Sequence, residues 1–451
     1  MSAVTHELIG MAALGGMFCA LLCLAETWKR RLDAPPERTR KFVHFFGGLL
    51  CLSFPYLFNS AWSVLGMALS LSALIALGKR FLFLRSLHGV SRRTRGSEYY
   101  PLAIFLLFVM TRGAPWFYVC SVLVLAMADA FAALIGTRYG TVRYEVEDEQ
   151  KSVEGSLAFA AIAFLAIHLP LLLMTDLPRP ACAWAALLVA VLVTGFEAVS
   201  LRGTDNIFVP LGVCVILPKI TGKPLPEIIY QNVSLGLIVL LVALVVRRTR
   251  SFNVGGTITF ALFAYGAWSL GSELWALPVF LGFLIYMTLW LAWPLDAGCR
   301  SSVKVRTVFQ AVMVPLVILV TGNMTGWAIE LYGPFIAAVA AVLAFSGWNH
   351  CIFFRGPGGG LRRAQSAVAG LAAAGTAALP PWFLMPAVPI SGLVAVAGVT
   401  VAAAVVNDRL MGARPDLSPG SVWSAHRIAL TAASAAAVLL LQAAGVIPPW
   451  R

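Results

Sequence analysis

The chain has 451 residues, of which 60% are hydrophobic and only 12% are charged. A typical soluble domain carries about twice that charged fraction, so the composition excludes an ordinary soluble protein. The formal net charge of +13 would suggest nucleic acid as a partner of a soluble protein. In a membrane protein, basic loops that set orientation explain it instead. We therefore expect an integral, multi-pass membrane protein in contact with lipid, and no nucleic-acid partner.

Apolar segments long enough to approach the roughly 20 residues of a membrane helix recur along the whole chain. They predict an all-α, polytopic transmembrane helical bundle of about 14–16 spans. Two of the segments are too short to cross alone, which favours re-entrant helices or extension by polar flanks. The predicted helices lie near 7–25, 42–59, 61–78, 99–111, 115–137, 155–175, 181–199, 207–218, 230–246, 255–272, 275–295, 307–322, 327–347, 366–384, 387–406 and 424–446.

The basic residues fall between alternate predicted spans. With the N-terminus outside, the cytoplasmic loops hold nearly all Lys and Arg residues, including Arg427, as the positive-inside rule requires. The exceptions are Arg112, Arg179, Lys219, Lys223 and Arg451.

The basic run 247–250 divides the chain into two halves. The first half is rich in polar residues inside predicted membrane helices, whereas the second half is Ala-rich and has few such residues. We expect a catalytic membrane domain at 1–247 and a second, non-catalytic membrane domain at 248–451.

Asp129 is the clearest intramembrane acid of the first half. An ionisable residue at such a depth costs at least about 2.5–3.5 kcal/mol on insertion scales, so it requires a partner or a function. Small neighbours, Ala126, Ala130 and Ala133, would let a helix or a ligand approach closely. A structural ion pair and a functional carboxylate both remain open for Asp129 on this pattern alone.

The segment 151–156, Lys-Ser-Val-Glu-Gly-Ser, has the outline of an anion site at a helix start. Lys151 supplies a positive charge and Ser152 is a plausible N-cap. Gly155 and Ser156 would leave backbone N–H groups for phosphate oxygens. A capped helix start with an incidental lysine is the alternative.

Two further polar groups lie on the same predicted side of the membrane. Lys41 and His44 are three residues apart and therefore share one face of a helix. Glu197, Asp205 and Asn206 follow a later span. Together with Asp129, their carboxylates would make an oxygen-ligand set for Mg²⁺ carrying the phosphates of a nucleotide.

Five ordered blocks of this half resemble the phytol kinase and dolichol kinase family, which is related to the membrane CTP:phosphatidate cytidylyltransferases. The blocks are Arg40-Lys41-x-x-His44, Ser97-Glu98-Tyr99-Tyr100-Pro101-Leu102-Ala103, Ala128-Asp129-Ala130-x-Ala132-x-x-x-Gly136-x-x-x-Gly140, Lys151-Ser152-x-Glu154-Gly155-Ser156, and Glu197-Ala198-Val199-Ser200-x-x-Gly203-x-Asp205-Asn206-x-x-Val209-Pro210. Tyr99 and Ala130 depart from residues common in the family, which bears on substrate choice more than on chemistry.

The resemblance implies a CTP-dependent kinase that phosphorylates the terminal hydroxyl of an isoprenoid alcohol of the phytol, geranylgeraniol or polyprenol class. It implies Asp129 as a metal or nucleotide carboxylate and Lys151 as a phosphate contact, and we expect both to be catalytic. From the residue types alone, we expect His44 or a carboxylate to accept the hydroxyl proton. It places Asp129, Glu197 and Asp205 at Mg²⁺. The nucleotide contacts that we expect are Lys41, Ser152, Glu154, Gly155, Ser156 and Asn206.

Two other functions fit parts of the pattern. A cytidylyltransferase would attack the α-phosphate of CTP with a lipid phosphate and release pyrophosphate. A lipid transporter or scramblase would also use many spans, but it predicts polar residues near the bilayer midplane in both halves.

Overall fold

The computed structural model describes residues 3–80, 96–147, 149–292, 303–355, 362–385, 390–411 and 425–450. The chain forms two compact units, Met1–Val233 and Ser234–Arg451, and each is described by itself. The division between them falls inside one long helix, Leu225–Thr249. The predicted functional boundary at 247/248 remains a prediction.

The first unit consists of helices and one antiparallel hairpin. Its elements are α1 Ala3–Leu32, α2 Pro36–Cys51, α3 Phe54–Leu57, α4 Ala61–Arg80, α5 Gly96–Met110, α6 Pro115–Leu123, a π-helical segment Val124–Ala128, α7 Asp129–Tyr139, β1 Arg143–Val146, β2 Glu149–Ser152, α8 Val153–Met174, α9 Arg179–Val199, α10 Asp205–Thr221 and the start of α11 Leu225–Thr249. Prolines at the first helical positions of α2, α6 and α9 suit helix starts, because proline lacks an N–H that would be unpaired there.

The second unit continues with helices. They are α12 Val254–Gly266, a π-helical segment Ala267–Gly271, α13 Glu273–Ala292, α14 Val305–Thr325, α15 Ala328–Arg355, α16 Arg362–Leu384, α17 Ile390–Met411 and α18 Ala425–Ala443. Asn253 caps α12 by accepting a hydrogen bond from the Gly256 N–H at 2.7 Å. Gly326, with φ of 77°, ends α14 in the left-handed conformation that glycine tolerates best.

Eleven helices within the described residues are long and apolar enough to cross a membrane. Helices also cover most of the other predicted segments, 42–59, 99–111, 207–218, 255–272 and the described part of 275–295, but these helices are shorter or more polar over the described residues. The predicted span 42–59 is divided at Leu52 and Ser53 into α2 and α3. The predicted all-α polytopic bundle is therefore confirmed, and the chain is a multi-pass membrane protein.

The orientation of the chain in the membrane remains a prediction. Much of four predicted cytoplasmic loops (79–95, 300–306, 355–363 and 409–427) lies outside the described residues, as does Arg451. One basic residue assigned to these loops is placed differently by the structure. Arg427 is only 1% exposed and lies inside α18, so it belongs to the core of the second unit.

Helix α2 packs closely against α6 and the π-helical segment that continues it. A Cβ atom added to Gly48 would lie 2.3 Å from the Ala126 Cβ and 2.7 Å from the Tyr100 hydroxyl oxygen. One turn later, the buried Tyr118 hydroxyl donates to the Cys51 carbonyl oxygen at 3.0 Å. Gly48 therefore sets the distance between the two helices.

Gly48→Val should destabilise the first unit by about 1–3 kcal/mol, because overpacking at a close helix contact forces the backbones apart. Thermal unfolding of the purified protein in detergent measures this as a lowered midpoint. Gly16→Val is the matched control, since no atom of the described residues lies within 4 Å of a Cβ added to Gly16. Equal midpoints for the two variants would contradict the close contact.

Candidate active site

Asp129 begins α7 immediately after the π-helical segment Val124–Ala128. Such a segment widens the helix and shifts its backbone hydrogen bonds, and it frequently occurs at functional sites. Inside this segment, the Leu125 carbonyl oxygen lies 2.8 Å from His44 Nε2. The sequence analysis did not predict the π-helical segment, because the apolar run around it is equally compatible with a regular α-helix.

Lys41 and His44 project from α2 onto Asp129. Lys41 Nζ lies 2.6 Å from Asp129 Oδ2, and His44 Nε2 lies 3.4 Å from the same oxygen. Lys41 is only 8% exposed, so the ion pair is largely removed from water. Removing one partner of such a pair leaves an uncompensated buried charge, which typically costs about 3–5 kcal/mol. The predicted shared face of Lys41 and His44 is present.

Tyr100 supports His44, a role that the sequence analysis missed. The rings of the two residues contact edge to face, with their centroids 4.6 Å apart. The buried Tyr100 hydroxyl donates to the His44 backbone carbonyl oxygen at 3.3 Å. Tyr100 lies in a motif that also contains the polar residues Ser97 and Glu98, and this position was the sequence signal that could have indicated its role.

A second ion pair joins the hairpin to α9. Lys151, near the end of β2, places its Nζ 2.7 Å from Glu197 Oε1 and also donates to the Glu197 backbone carbonyl oxygen. Both side chains are largely buried. The predicted lysine and the predicted carboxylate are therefore brought together, but as partners of each other.

The residues after Lys151 are engaged in local hydrogen bonds. Ser152 caps α8 as predicted, by accepting from the Gly155 N–H at 3.2 Å. Glu154 Oε1 accepts from the backbone N–H groups of Thr141 and Val142 at 2.9 and 3.1 Å. These contacts fix the loop before the hairpin, and a phosphate-binding role for Ser152, Glu154 and Gly155 remains a prediction.

Glycines bring α7 and the start of α8 together. A Cβ added to Gly136 would lie 2.8 Å from Ser152 Oγ, and one added to Gly155 would lie 3.1 Å from the Ala132 carbonyl oxygen. Ser156 Oγ lies 2.7 Å from the Tyr144 hydroxyl on β1. Gly136 follows Asp129 by seven residues, or roughly 10 Å along the helix. Helix α7 thus links the Lys41–Asp129 pair to the segment that carries Lys151.

Asp205 and Asn206 occupy the first turn of α10. Burial alone would lower the pKa of the Arg40 guanidinium, but the negative charges of Glu37, Asp129 and Asp205 raise it above its usual value. Asp205 therefore acts electrostatically on the same end of α2 as Asp129. The Asn206 side-chain oxygen is buried and accepts no hydrogen bond from the residues that the structure describes.

The predicted Mg²⁺ ligands do not form a preassembled cluster. Across the parts of the chain that the structure describes, no three His, Cys, Asp or Glu side chains come close enough to hold a metal ion. Asp129 pairs with Lys41 and Glu197 pairs with Lys151. Mg²⁺ is nevertheless often held by one or two carboxylates together with the phosphates of a substrate, so this arrangement is compatible with a metal that arrives with a nucleotide.

No family model and no solved structure matches this chain. A phytol kinase from Synechocystis sp. is 34% identical to it over 212 residues. That match covers 46% of this chain and 89% of the relative. The predicted recognition is confirmed: the chain belongs to the phytol kinase family.

Proposed function

We propose that this protein transfers the γ-phosphoryl group of CTP to the terminal hydroxyl of an isoprenoid alcohol of the phytol, geranylgeraniol or polyprenol class. The observation that carries the proposal is the buried Lys41–Asp129–His44 cluster on membrane helices. Membership of a kinase family with an alcohol acceptor supports it. CTP as the donor, Mg²⁺ as the metal and the cytoplasmic location of the site rest on the family resemblance and on the distribution of basic residues.

The apolar helices suit a substrate whose tail stays in the bilayer. In such a reaction only the hydroxyl end of the alcohol and the phosphates of the nucleotide need a polar environment. The Asp129 cluster supplies that environment within the apolar helical segment 115–139, ten residues before its end. The helix-linked Lys151 segment provides a second positive charge for the triphosphate.

We infer the atom that accepts the hydroxyl proton from the contacts around Asp129. His44 Nε2 faces two acceptors, the Leu125 carbonyl oxygen and Asp129 Oδ2, so we assign a proton to that nitrogen. Asp129 Oδ2 is occupied by Lys41 and His44, whereas no hydrogen bond is made to Oδ1 within the described residues. We therefore assign proton acceptance to Asp129 Oδ1. A role for His44 as the base would require its Nδ1.

We assign Asp205 and Asn206 as ligands of a nucleotide-bound Mg²⁺. Glu197 would become a further ligand when Lys151 leaves it to bind a phosphate group. The buried Asn206 oxygen, which has no hydrogen-bond partner in the described parts of the chain, fits this role, because Mg²⁺ prefers carboxylate and carbonyl oxygens. When bound, Mg²⁺ neutralises charge on the phosphates. The alcohol oxygen would then bond to the γ-phosphorus, the bond from that phosphorus to the bridging oxygen would break, and CDP would leave.

Purified protein should transfer label from γ-labelled CTP, and none from α-labelled CTP, to an isoprenoid alcohol. Phytol, geranylgeraniol and a long polyprenol, each with CTP or ATP, would define both substrates. Transfer of α-label to a lipid phosphate would establish a cytidylyltransferase instead. Absence of any labelled lipid across the panel of alcohols would contradict the kinase reaction.

Asp129→Asn should lower kcat by about 10²–10⁴-fold, the usual contribution of a general base. It should also reduce thermal stability, because Lys41 would lose its charged partner. Turnover of labelled CTP and the unfolding midpoint measure the two effects. Asp176→Asn, in the loop between α8 and α9, is the control, and wild-type turnover by Asp129→Asn would remove Asp129 from the site.

Tyr100→Phe should lower kcat while leaving KM for CTP close to the wild-type value, because Tyr100 positions His44 and is not assigned a nucleotide contact. Loss of the hydroxyl should cost about 0.5–1.5 kcal/mol of stability. Tyr118→Phe removes a similar buried hydrogen bond to an α2 carbonyl, at Cys51. If both variants lose kcat equally, the effect is structural and Tyr100 does not act through His44.

A further inference from the structure

Strand β2 of the hairpin contacts the chain that leads from α9 to α10 at two points. Glu149 and Lys151 are two positions apart on this strand, so their side chains extend from the same face. Lys151 pairs with Glu197 near the end of α9. Glu149 Oε1 accepts a hydrogen bond from the Arg202 backbone N–H at 3.1 Å, in the turn that follows α9. One face of β2 therefore holds both the end of α9 and the turn before α10.

This turn has an unusual backbone conformation. Arg202 and Gly203 both have a positive φ, of 54° and 88°. Glycine adopts such values readily, whereas in arginine the Cβ atom comes too close to the following carbonyl oxygen. A disfavoured backbone conformation persists where surrounding contacts hold it. The hydrogen bond from the Arg202 N–H to Glu149 is such a contact, and it comes from a different element of the fold.

The same turn sets the direction of the Asn206 side chain. Asn206 Nδ2 donates to the Gly203 carbonyl oxygen at 3.2 Å. A backbone carbonyl only accepts hydrogen bonds, so the NH₂ group of Asn206 must be the part that faces it. The side-chain oxygen is thereby directed away from the Gly203 carbonyl. A rotation of the peptide after Gly203 would move this acceptor and release Asn206, and Asp205 would shift with the start of α10.

We propose that Glu149 is a positioning residue for the metal–nucleotide site. By holding the Arg202 N–H, it fixes the turn that orients Asn206 and starts α10 at Asp205. The proposal rests on the proposed function, in which Asp205 and Asn206 bind a nucleotide-bound Mg²⁺. Replacing a residue that orients metal ligands without binding the metal typically lowers metal affinity or activity by about 10–100-fold.

The contact made by Glu149 gains importance when Lys151 moves. Under the proposed function, Lys151 leaves Glu197 to bind phosphate, which removes one of the two contacts described above. Glu149 then still joins β2 to the turn. The Tyr144 hydroxyl, 2.7 Å from Ser156 Oγ, joins the other strand of the hairpin to α8. The metal ligands on α10 would therefore keep their positions while the lysine changes partners.

Glu149→Met and Glu149→Gln form a matched pair of variants, because both remove the charge and only glutamine keeps an acceptor oxygen. Hydrogen–deuterium exchange of the full-length protein in nanodiscs, followed by mass spectrometry of peptides that cover 200–204, reports the hydrogen bond. The Arg202 amide should exchange at least about 5-fold faster in Glu149→Met and close to the wild-type rate in Glu149→Gln. Wild-type exchange in Glu149→Met, or equal acceleration in both variants, would overturn the positioning role.

Metal binding is measured without turnover, using Mn²⁺ in place of Mg²⁺ and β,γ-methylene-CTP, whose γ-phosphoryl group cannot be transferred. The relaxation rate of water protons changes when the Mn²⁺–nucleotide complex binds the protein, which gives its affinity. Glu149→Met should bind the complex about 10-fold more weakly or worse, and Glu149→Gln close to the wild type. Unchanged affinity in Glu149→Met would overturn the proposal, as would a wild-type protein that does not bind the complex.

Gly203→Ala changes the same turn without altering Glu149, so it keeps the proposal testable if Glu149→Met does not fold. A Cβ atom at a φ of 88° disfavours the turn, and affinity for the Mn²⁺–nucleotide complex should again fall by about 10-fold or more. Gly113→Ala is the matched control. Gly113 has a similar φ of 85°, and no atom of the described residues lies within 4 Å of its added Cβ. Equal affinities for the two glycine variants would overturn the role of the turn.

Phosphoryl transfer is measured separately, so that the two proposals can fail independently. A wild-type protein that binds the complex but phosphorylates no alcohol would reject the proposed function, while weaker binding by Glu149→Met would still support the positioning role. An active wild type together with full affinity in Glu149→Met would reject the positioning role and leave the proposed function standing.

Discussion

The ion pair between Lys41 and Asp129 is the interaction on which the candidate site depends. Two charges held largely away from water are tolerated only while they satisfy each other. Their 2.6 Å contact requires α2 to pack closely against the continuous helical segment formed by α6, the π-helical segment and α7. Gly48 permits that approach. The π-helical segment then gives His44 a backbone acceptor beside Asp129. The close packing of α2 at Gly48, the π-helical segment and the Lys41–Asp129 ion pair therefore depend on one another.

Much of this arrangement follows from the sequence, because the membrane restricts what a chain can do. Apolar segments predicted the helices, the spacing of Lys41 and His44 predicted their common face, and Ser152 was predicted as an N-cap. The π-helical segment could not be predicted, since it depends on backbone hydrogen bonds and not on side-chain type. The hairpin before Ser152 was also missed, because its acidic residues are typical of a loop.

Ion-pair partners were the least predictable feature, because they join distant parts of the chain. The sequence analysis expected Asp129 and Glu197 to bind the same metal, which stays a prediction, but it did not anticipate that each carboxylate pairs with a different lysine. Arg427 was assigned to a loop on charge alone, yet its guanidinium lies 5.6 Å from the centre of the Trp348 ring in the core. Residue type indicated that these groups needed partners, but only the fold determines which partners they have.

The two lysine–carboxylate pairs constrain how a nucleotide would bind under the proposed function. Each pair is neutral overall, so neither carries an uncompensated charge. The Lys41–Asp129 pair stays intact in the proposed reaction, because Asp129 accepts the hydroxyl proton on the oxygen that Lys41 does not hold. In the Lys151–Glu197 pair, phosphate alone could draw Lys151 away, but it would leave Glu197 as an unpaired carboxylate. Mg²⁺ alone would engage Glu197 and leave Lys151 as a largely buried lysine without its partner, which is similarly costly. Exchange of this pair becomes favourable only when phosphate and metal arrive together, so the same interaction that stabilises the fold would select the metal–nucleotide complex over either component.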